Sequence, residues 1–385
     1  MLYFDHNATA PLHPAARAAW LEVVDSAWHN PSGLYAPAAA ARERLEDARE
    51  RLGDLLDAEP ERIVMTAGAT AAANLLAHWL VRQTSEKGPV LISGIEHPCV
   101  ADSLAAACGD WLTELPVNEQ GVVDLDAVTA GKAASLPKMV AVMAASNESG
   151  VLQPWQDIAS ACRQQGVPFF CDASQWLGKL PAKGLGACDW LIGSSHKFGG
   201  PRGTGFLVVP EGLPFRGDLG GPQEAGRHAG TEDVASLVAM VTALEARERE
   251  LSGGLASLAA ARDAAQQRLC EQVPEAVVVG GDAPRLFNTL AVVIPGGDGK
   301  RLVAALGREG IAASTGSACS SGAGSAARVL AAIGAQRLCV RPDVLRGMVR
   351  LSAGWETSPE EWTTAVDTLA AIVGGSAVGP PRVSL

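Results

Sequence analysis

Residues 189–209 read DWLIGSSHKFGGPRGTGFLVV, which is two apolar runs on either side of a glycine-rich loop. Each run is short and bounded by turn-forming residues, so the pattern predicts two buried strands. The loop carries Lys197 within Ser194-Ser195-His196-Lys197. Most lysines are solvated, and a surface lysine in a turn is the default interpretation. An ammonium beside apolar strands, however, is unfavourable unless it is paired or chemically modified.

A second apolar run, VPFFCDASQ at residues 167–175, ends in an acid. Asp172 follows the apolar residues directly and therefore lies at the end of a predicted strand. In open α/β sheets, ligands collect at the carboxyl ends of the strands. An acid at one strand end and a lysine near the next indicate a pyridoxal phosphate site. Lys197 would form a Schiff base there, and Asp172 would pair with the pyridinium nitrogen.

Predicted strands alternate with predicted helices from residue 62 to residue 209. This alternation implies crossover connections and an α/β fold with a mostly parallel central sheet flanked by helices. A long helical pattern at residues 233–273 is broken near Gly253-Gly254, where the composition changes. We therefore expect a large cofactor-binding α/β domain at residues 15–253, and a smaller α+β domain formed by residues 1–14 and 254–385.

Composition excludes several classes of function. The 385 residues carry a net charge of −11 without a run of Lys and Arg, which argues against nucleic acid or an anionic membrane as a partner. No apolar run approaches the roughly 20 residues of a transmembrane helix, and no secretory signal is visible. Eight dispersed cysteines without a C-x-x-C pair fit a reducing cytoplasm and predict no metal site.

Four residues are candidates for binding a phosphate. Ala69 and Thr70 follow a predicted strand and open a predicted helix, whose free N–H groups and positive dipole end suit an anion. Thr70 as a simple helix cap is an equally good interpretation. Ser194 and His196 flank Lys197 and can also donate to phosphate, although a serine pair in a turn is ordinary.

Three further polar residues follow predicted strand ends. His97 can stack on an aromatic ring or move protons, but a capping or core histidine is the simpler interpretation. Asn147 and Gln175 can hydrogen-bond a phenolic oxygen or a carboxylate, whereas isolated amides are more often turn formers.

Cys319 and Arg350 are the remaining candidates. Cys319 lies in TGSACSSGAGS at residues 315–325, a run of small residues that predicts a mobile loop rather than a packed core. Its thiolate would be a strong nucleophile. Arg350 interrupts an apolar strand, where an arginine either binds a carboxylate or faces solvent at a sheet edge.

Taken together, these motifs resemble the cysteine desulfurases of the NifS/IscS type, in the class V aminotransferase group of fold-type I pyridoxal phosphate enzymes. The resemblance covers nearly the whole chain. It lies in YFDHNATAP at 3–11, NPS at 30–32, TAGAT at 66–70, EH at 96–97, NE at 147–148, DASQ at 172–175, SSHK at 194–197, GT at 230–231, SAC at 317–319 and the arginine of RLS at 350–352.

The resemblance implies a reaction and a set of roles. L-cysteine would be converted to L-alanine, with the sulfur captured as a persulfide on Cys319 and passed to a sulfur-acceptor protein, such as an iron–sulfur scaffold or another carrier. Lys197, Cys319 and His97 would be catalytic, and Asn147 and Arg350 would bind the substrate carboxylate. Pyridoxal 5'-phosphate would contact Ala69, Thr70, His97, Asn147, Asp172, Gln175, Ser194, His196 and Lys197. Thr231 would reach the phosphate of the partner subunit in a cytoplasmic homodimer active in iron–sulfur cluster assembly.

The chain departs from the family pattern at several positions. Ala71-Ala72 replace a Glu-Ser pair, His228 replaces an arginine, Tyr35 a histidine and Trp355 a second arginine. These changes keep alternatives open. They are another class V reaction (selenocysteine lysis, cysteine β-elimination or transamination) and a relative that binds the cofactor without catalysis.

Overall fold

A seven-stranded sheet organises most of the chain in the computed structural model, which describes residues 1–83, 88–129, 136–251, 253–316, 328–334 and 346–375. Its strands are β2 (Ile63–Thr66), β3 (Val90–Ser93), β4 (Leu112–Leu115), β5 (Met139–Ala141), β6 (Phe169–Asp172), β7 (Trp190–Ser194) and β8 (Gly205–Val208). Their order is β2-β8-β7-β6-β5-β3-β4. Neighbours from β4 to β7 are parallel, whereas β8 is antiparallel to β7 and β2. The predicted mostly parallel sheet is confirmed, and β8 reverses because the 195–204 loop is too short for a crossover.

Helices cover both faces of this sheet. They are α1 (Pro14–Ser26), α2 (Ala36–Leu56), α3 (Ala69–Arg82), α4 (Pro98–Cys108), α5 (Leu125–Thr129), α6 (Trp155–Gln165), the single turn α7 (Gln223–Gly226) and α8 (Val234–Leu251). α3 and α4 share a core with Phe170, whereas α1, α2, α6 and α8 share a core with Phe169. Because strand residues alternate between faces, these consecutive phenylalanines enter different cores. Burial on both faces explains why the strands are apolar throughout.

A smaller unit combines the first strand of the chain with elements between residues 255 and 375. Its elements are β1 (Leu2–Tyr3), α9 (Leu255–Gln272), β9 (Val277–Val278), β10 (Thr289–Val293), α10 (Gly299–Arg308), β11 (Ile311–Ala312), α11 (Arg328–Ile333), β12 (Met348–Ser352) and α12 (Pro359–Gly375). β12, β10 and β9 form an antiparallel sheet, and β1 pairs in parallel with β11. Phe4 therefore shares a core with Leu269, Leu290 and Leu369. The domain division at residue 253 stays a prediction.

Local backbone geometry bears on a few element boundaries. α3 begins at Ala69, because Gly68, with φ of +120°, turns the chain into the helix directly after β2. β5 spans Met139–Ala141, and the N–H groups of Val142 and Ala144 continue to donate to Phe170 O and Asp172 O at 3.0 and 2.9 Å beyond its end. The long pattern at 233–273 is two helices, α8 and α9, as its glycine break predicted.

Within the described ranges, every helix is too short or too polar to cross a membrane.

Candidate active site

A cavity of about 240 Å³ lies at the carboxyl edge of the central sheet. Its walls follow the ends of β2, β3, β5, β6 and β7, which share one edge because β2 and β7 are both antiparallel to β8. Ligands of open sheets bind at such an edge. The cavity is lined by nine of the predicted cofactor residues, namely Ala69, Thr70, His97, Asn147, Asp172, Gln175, Ser194, His196 and Lys197.

Lys197 ends a single 3₁₀ turn that follows β7. Its Nζ donates to the main-chain oxygens of Asn7 at 2.8 Å and Ala8 at 2.9 Å. The amine therefore lies between the sheet edge and the opening loop of the chain, a loop that the sequence analysis treated only as a matching motif.

The glycines around Lys197 permit a close approach of main chains. A Cβ on Gly205 would lie 2.4 Å from the oxygen of Gly193 and 2.7 Å from Cα of Gly68. Real Cβ atoms do not come this near to backbone atoms, so only glycine allows β8 to pass between β7 and the start of α3. The loop thus brings the lysine turn and the helix start to one cavity.

Asp172 is the last residue of β6 and is buried. Its Oδ1 accepts a hydrogen bond from the Ser174 N–H at 2.9 Å. β6 and β7 are neighbours, so the Asp172 carboxyl and the Lys197 amine line the same cavity from adjacent strand ends. This pair can protonate a ring nitrogen on one side and hold an aldehyde on the other.

His97 caps α4 and also lines the cavity. Its Nδ1 accepts a hydrogen bond from the Cys99 N–H at 3.1 Å, and Pro98 occupies the first helical position. Since Nδ1 is the acceptor, the neutral ring carries its proton on Nε2. Burial lowers the pKa of His97, which favours this neutral form. His97 is therefore a helix cap, one of its two interpretations from the sequence, and the same side chain lines the cavity.

The start of α3 and the lysine turn meet in a corner whose hydrogen-bond donors suit an anion. Ala69 and Thr70 are the first residues of a 14-residue helix, where N–H groups have no partner inside the helix. Nδ1 of His196 lies 3.2 Å from Thr9 Oγ1. Burial and the neighbouring Lys197 lower the pKa of His196 to about 4, so the ring is neutral near pH 7 and donates one N–H.

Arg350 lies beside the cavity rather than in its lining. It is buried in β12, and its Nη1 donates to the main-chain oxygen of Asn147 at 2.8 Å. Nη2 lies 2.6 Å from Asp5 Oδ1 in an ion pair. Among the described residues, its Nε has no hydrogen-bond partner. Nη1 also donates to Gly316 O at 3.3 Å, so Arg350 contacts Asn147 directly and its Nε–H is left for a further acceptor.

Two predicted residues lie apart from this cavity. Thr231 lines a separate cavity of about 150 Å³ together with Thr66, His228 and Gly230. Cys319, with the rest of its predicted loop from residue 317, lies outside the described residues.

Three residues of the site were not assigned a role from the sequence. Glu96 is buried behind the cavity, Asn7 bonds the residues that line it, and Lys179 is fully buried beside Gln175. Lys179 and Gln175 are four residues apart, a spacing that could have indicated a contact in a helical turn. Asn7 comes from a distant loop, and its contacts could not be read from local sequence.

The cavity fits pyridoxal phosphate. It offers an amine, a carboxyl, an imidazole and a helix N-terminus, which match the aldehyde, the ring nitrogen, the ring face and the phosphate of that cofactor. Ser174, in the same lining, has a buried Oγ without a hydrogen-bond partner among the described residues. Across those residues, no group of three or more His, Cys, Asp or Glu side chains is placed to hold a metal ion.

Comparison with known proteins identifies consistent relatives. Residues 2–362 match the family described as Aminotransferase class-V. The chain is 33% identical over 383 residues to a cysteine desulfurase of Klebsiella pneumoniae, covering 97% of this chain and 92% of the relative. It is 33% identical to an IscS-like cysteine desulfurase of Mycobacterium tuberculosis, covering 96% and 95%. Among solved structures, a NifS-like protein superposes with a TM-score of 0.85 at 26% identity, covering 97% of this chain and 99% of that one.

Proposed function

Because the chain belongs to the class V aminotransferase family and is a pyridoxal-phosphate-dependent cysteine desulfurase of the NifS/IscS type, we propose that the cavity at the carboxyl edge of its sheet is the active site and that L-cysteine is its substrate. The observation that best supports this assignment is the meeting of nine predicted residues, from five strand ends, in one cavity with Lys197 and Asp172 on adjacent strands.

The reaction balances without an external oxidant. L-cysteine and the Cys319 thiol give L-alanine and a Cys319 persulfide, because the sulfur that leaves the β-carbon forms the new S–S bond. The persulfide sulfur then passes to an acceptor protein. Cys319 is assigned from its sequence motif.

Four residues of the cavity hold the cofactor or move protons in this reaction. Lys197 would hold the cofactor covalently, and Asp172 would keep its ring nitrogen protonated. Bound pyridoxal phosphate supplies an electron sink for the bonds at the substrate α-carbon. The Lys197 amine moves protons at that carbon, and neutral His97 acts as a second proton carrier through Nε2. Gln175 bonds the phenolic oxygen.

The remaining predicted residues bind and orient. The start of α3 at Ala69 and Thr70, with Ser194 and His196, holds the phosphate through N–H and O–H donors. Asn147 and Arg350 bind the substrate carboxylate. The Asp5 ion pair supports this role, because it holds the guanidinium against Asn147 while Nε has no hydrogen-bond partner in the described part of the chain.

The protein acts as a homodimer in this proposal, with Thr231 of each subunit at the phosphate of the other. Thr231 lines a cavity other than the lysine cavity of its own chain, which supports an exchange of this kind. The acceptor is a carrier in the cytoplasm, and an iron–sulfur scaffold is the first one to test.

A single assay tests the reaction. Purified protein with pyridoxal phosphate, L-cysteine and a reductant should release equal amounts of alanine and sulfide. Pyruvate in place of alanine would identify a β-elimination instead.

Lys197→Ala should lose the borohydride-fixed cofactor and all turnover. Cys319→Ala should keep the cofactor colour and lose persulfide, and an unchanged sulfide yield in that variant would overturn the role of Cys319.

A further inference from the structure

Lys179 lies fully buried beside the cavity, and the proposed reaction assigns no role to this lysine. It lies in the turn after β6, where the N–H groups of Lys179 and Leu180 both donate to Trp176 O at 3.0 Å. The turn places Lys179 one helical turn after Gln175, so the two side chains meet. Gly178, with φ of +69°, lets this turn pack against Phe198, since a Cβ there would lie 2.5 Å from the Phe198 Cβ.

The Lys179 amine bonds two amide oxygens. Nζ donates to Asn7 Oδ1 at 3.0 Å and to Gln175 Oε1. Within the described residues, no carboxylate forms an ion pair with it. Burial, followed by the positive charges of Lys197 and Arg350, lowers the pKa of Lys179 well below its usual value. A neutral amine still has two N–H donors, and the two oxygens accept both.

This contact fixes the orientation of the Gln175 amide. The oxygen faces Lys179, so the nitrogen faces away from it, and Nε2 donates to Asn7 O at 2.9 Å. An amide nitrogen carries two hydrogens, and one of them is left for the cavity that Gln175 lines. The reversed amide would set its oxygen against the main-chain oxygen of Asn7, and the Lys179 amine would lose one of its two acceptors.

We propose that Lys179 is a positioning residue that keeps an N–H of Gln175 directed at the phenolic oxygen of the cofactor. This role rests on the proposed function, in which Gln175 contacts that oxygen. A donor at this position stabilises the oxygen anion. It therefore lowers the pH at which the bound cofactor gives up its proton, an equilibrium that the absorbance of the cofactor reports.

The test is a pH titration of absorbance in the reconstituted holoenzyme. Lys179→Met keeps the length of the side chain and removes the donors, so the Gln175 amide loses the contact that holds its oxygen and keeps only its hydrogen bond to Asn7 O. We expect the absorbance midpoint to rise by about one pH unit, the tenfold change expected when an anion loses one hydrogen bond. Lys179→Gln retains an N–H donor and should stay near the wild-type midpoint.

Gln175→Leu shows whether Lys179 changes the absorbance midpoint through the Gln175 amide or through the charge of its own amine. Adding Lys179→Met to Gln175→Leu should move the midpoint no further, because the amide is already gone. An additive shift in the double variant, or a wild-type midpoint in folded Lys179→Met, would overturn the role. Lys179→Leu serves as a second donor-free variant if the methionine protein does not fold.

Lys197→Ala distinguishes a failure of the proposed active site from a failure of the role proposed for Lys179. If borohydride still fixes the cofactor to this variant, the proposed site itself is wrong. If fixation is lost there but the Lys179→Met titration matches the wild type, only the role of Lys179 fails.

Discussion

Glu96 is a buried carboxyl behind the cavity, and it makes stability depend on pH. Its Oε1 accepts hydrogen bonds from Ser93 Oγ at 2.5 Å and Met143 N at 2.6 Å. Burial raises the pKa of Glu96 to about 7, from an ordinary value of 4.5. The folded protein thus holds this proton more tightly than the unfolded chain does. The resulting stability is complete below pH 4.5 and is lost as the pH rises towards about 7.

Glu96→Gln should remove this pH dependence while keeping an acceptor for both hydrogen bonds. Between about pH 5 and about pH 8, the free energy of unfolding of the apoprotein should fall by about 3 kcal/mol less in the variant than in the wild type. Urea unfolding at the two pH values measures this difference. Exposed Glu119 provides the matched control, Glu119→Gln, which should follow the wild type. Equal pH dependence in Glu96→Gln and wild type would contradict the assignment.

His97 combines a structural role and a chemical role, and substitutions can separate them. Asparagine is a good helix cap, so His97→Asn should keep the melting temperature close to that of the wild type. It removes the imidazole, and kcat should fall by roughly 10²-fold to 10⁴-fold. His97→Ala should lose the same activity and also about 1 kcal/mol of stability. A fully active His97→Asn would show that capping is the whole role.

At the scale of elements, Gly205, the first residue of β8, shows why the strand beside the lysine turn must begin with glycine. Gly205→Ala would push a methyl group into main-chain atoms of Gly193 and Gly68, neither of which can rotate away. We expect a loss of more than about 2 kcal/mol in unfolding free energy and a lower affinity for pyridoxal phosphate. Gly203 has φ of +73° and open space at its Cβ. Gly203→Ala should therefore cost only about 1 kcal/mol and leave the affinity unchanged.

The sequence could predict those residues of the candidate site that lie at the ends of strands. Asp172, His97 and Ser194 each follow an apolar run, and such ends share an edge in a parallel sheet. The contacts of Asn7 and Lys179 could not be predicted in this way. Asn7 lies in an irregular loop that reaches the lysine turn only through tertiary packing, and a buried lysine gives no signal of burial in the sequence.

On the scale of the whole molecule, apolar side chains near residue 30 are unusually exposed. Leu34 is fully exposed, and Trp28 and Tyr35 are 72% and 52% exposed. Neighbouring large apolar groups on a surface commonly mark a protein interface. They follow α1, which packs on α8, the helix that begins just after Thr231. We therefore expect these side chains to belong to the proposed dimer interface.

Leu34→Glu should disrupt the dimer, because it places a charge where an apolar side chain would be desolvated. The dimer dissociation constant should rise by at least about 10²-fold. In sedimentation, the variant should approach the mass of one 39.7 kDa chain, while the wild type should run at twice that mass. Pyridoxal phosphate should also bind more weakly, because each phosphate would lose Thr231 of the other subunit. Leu136→Glu changes another exposed leucine, three residues before the interior strand β5, and should remain dimeric with wild-type cofactor affinity. A dimeric Leu34→Glu would place the interface elsewhere, and a monomer with unchanged cofactor affinity would remove Thr231 from the phosphate site.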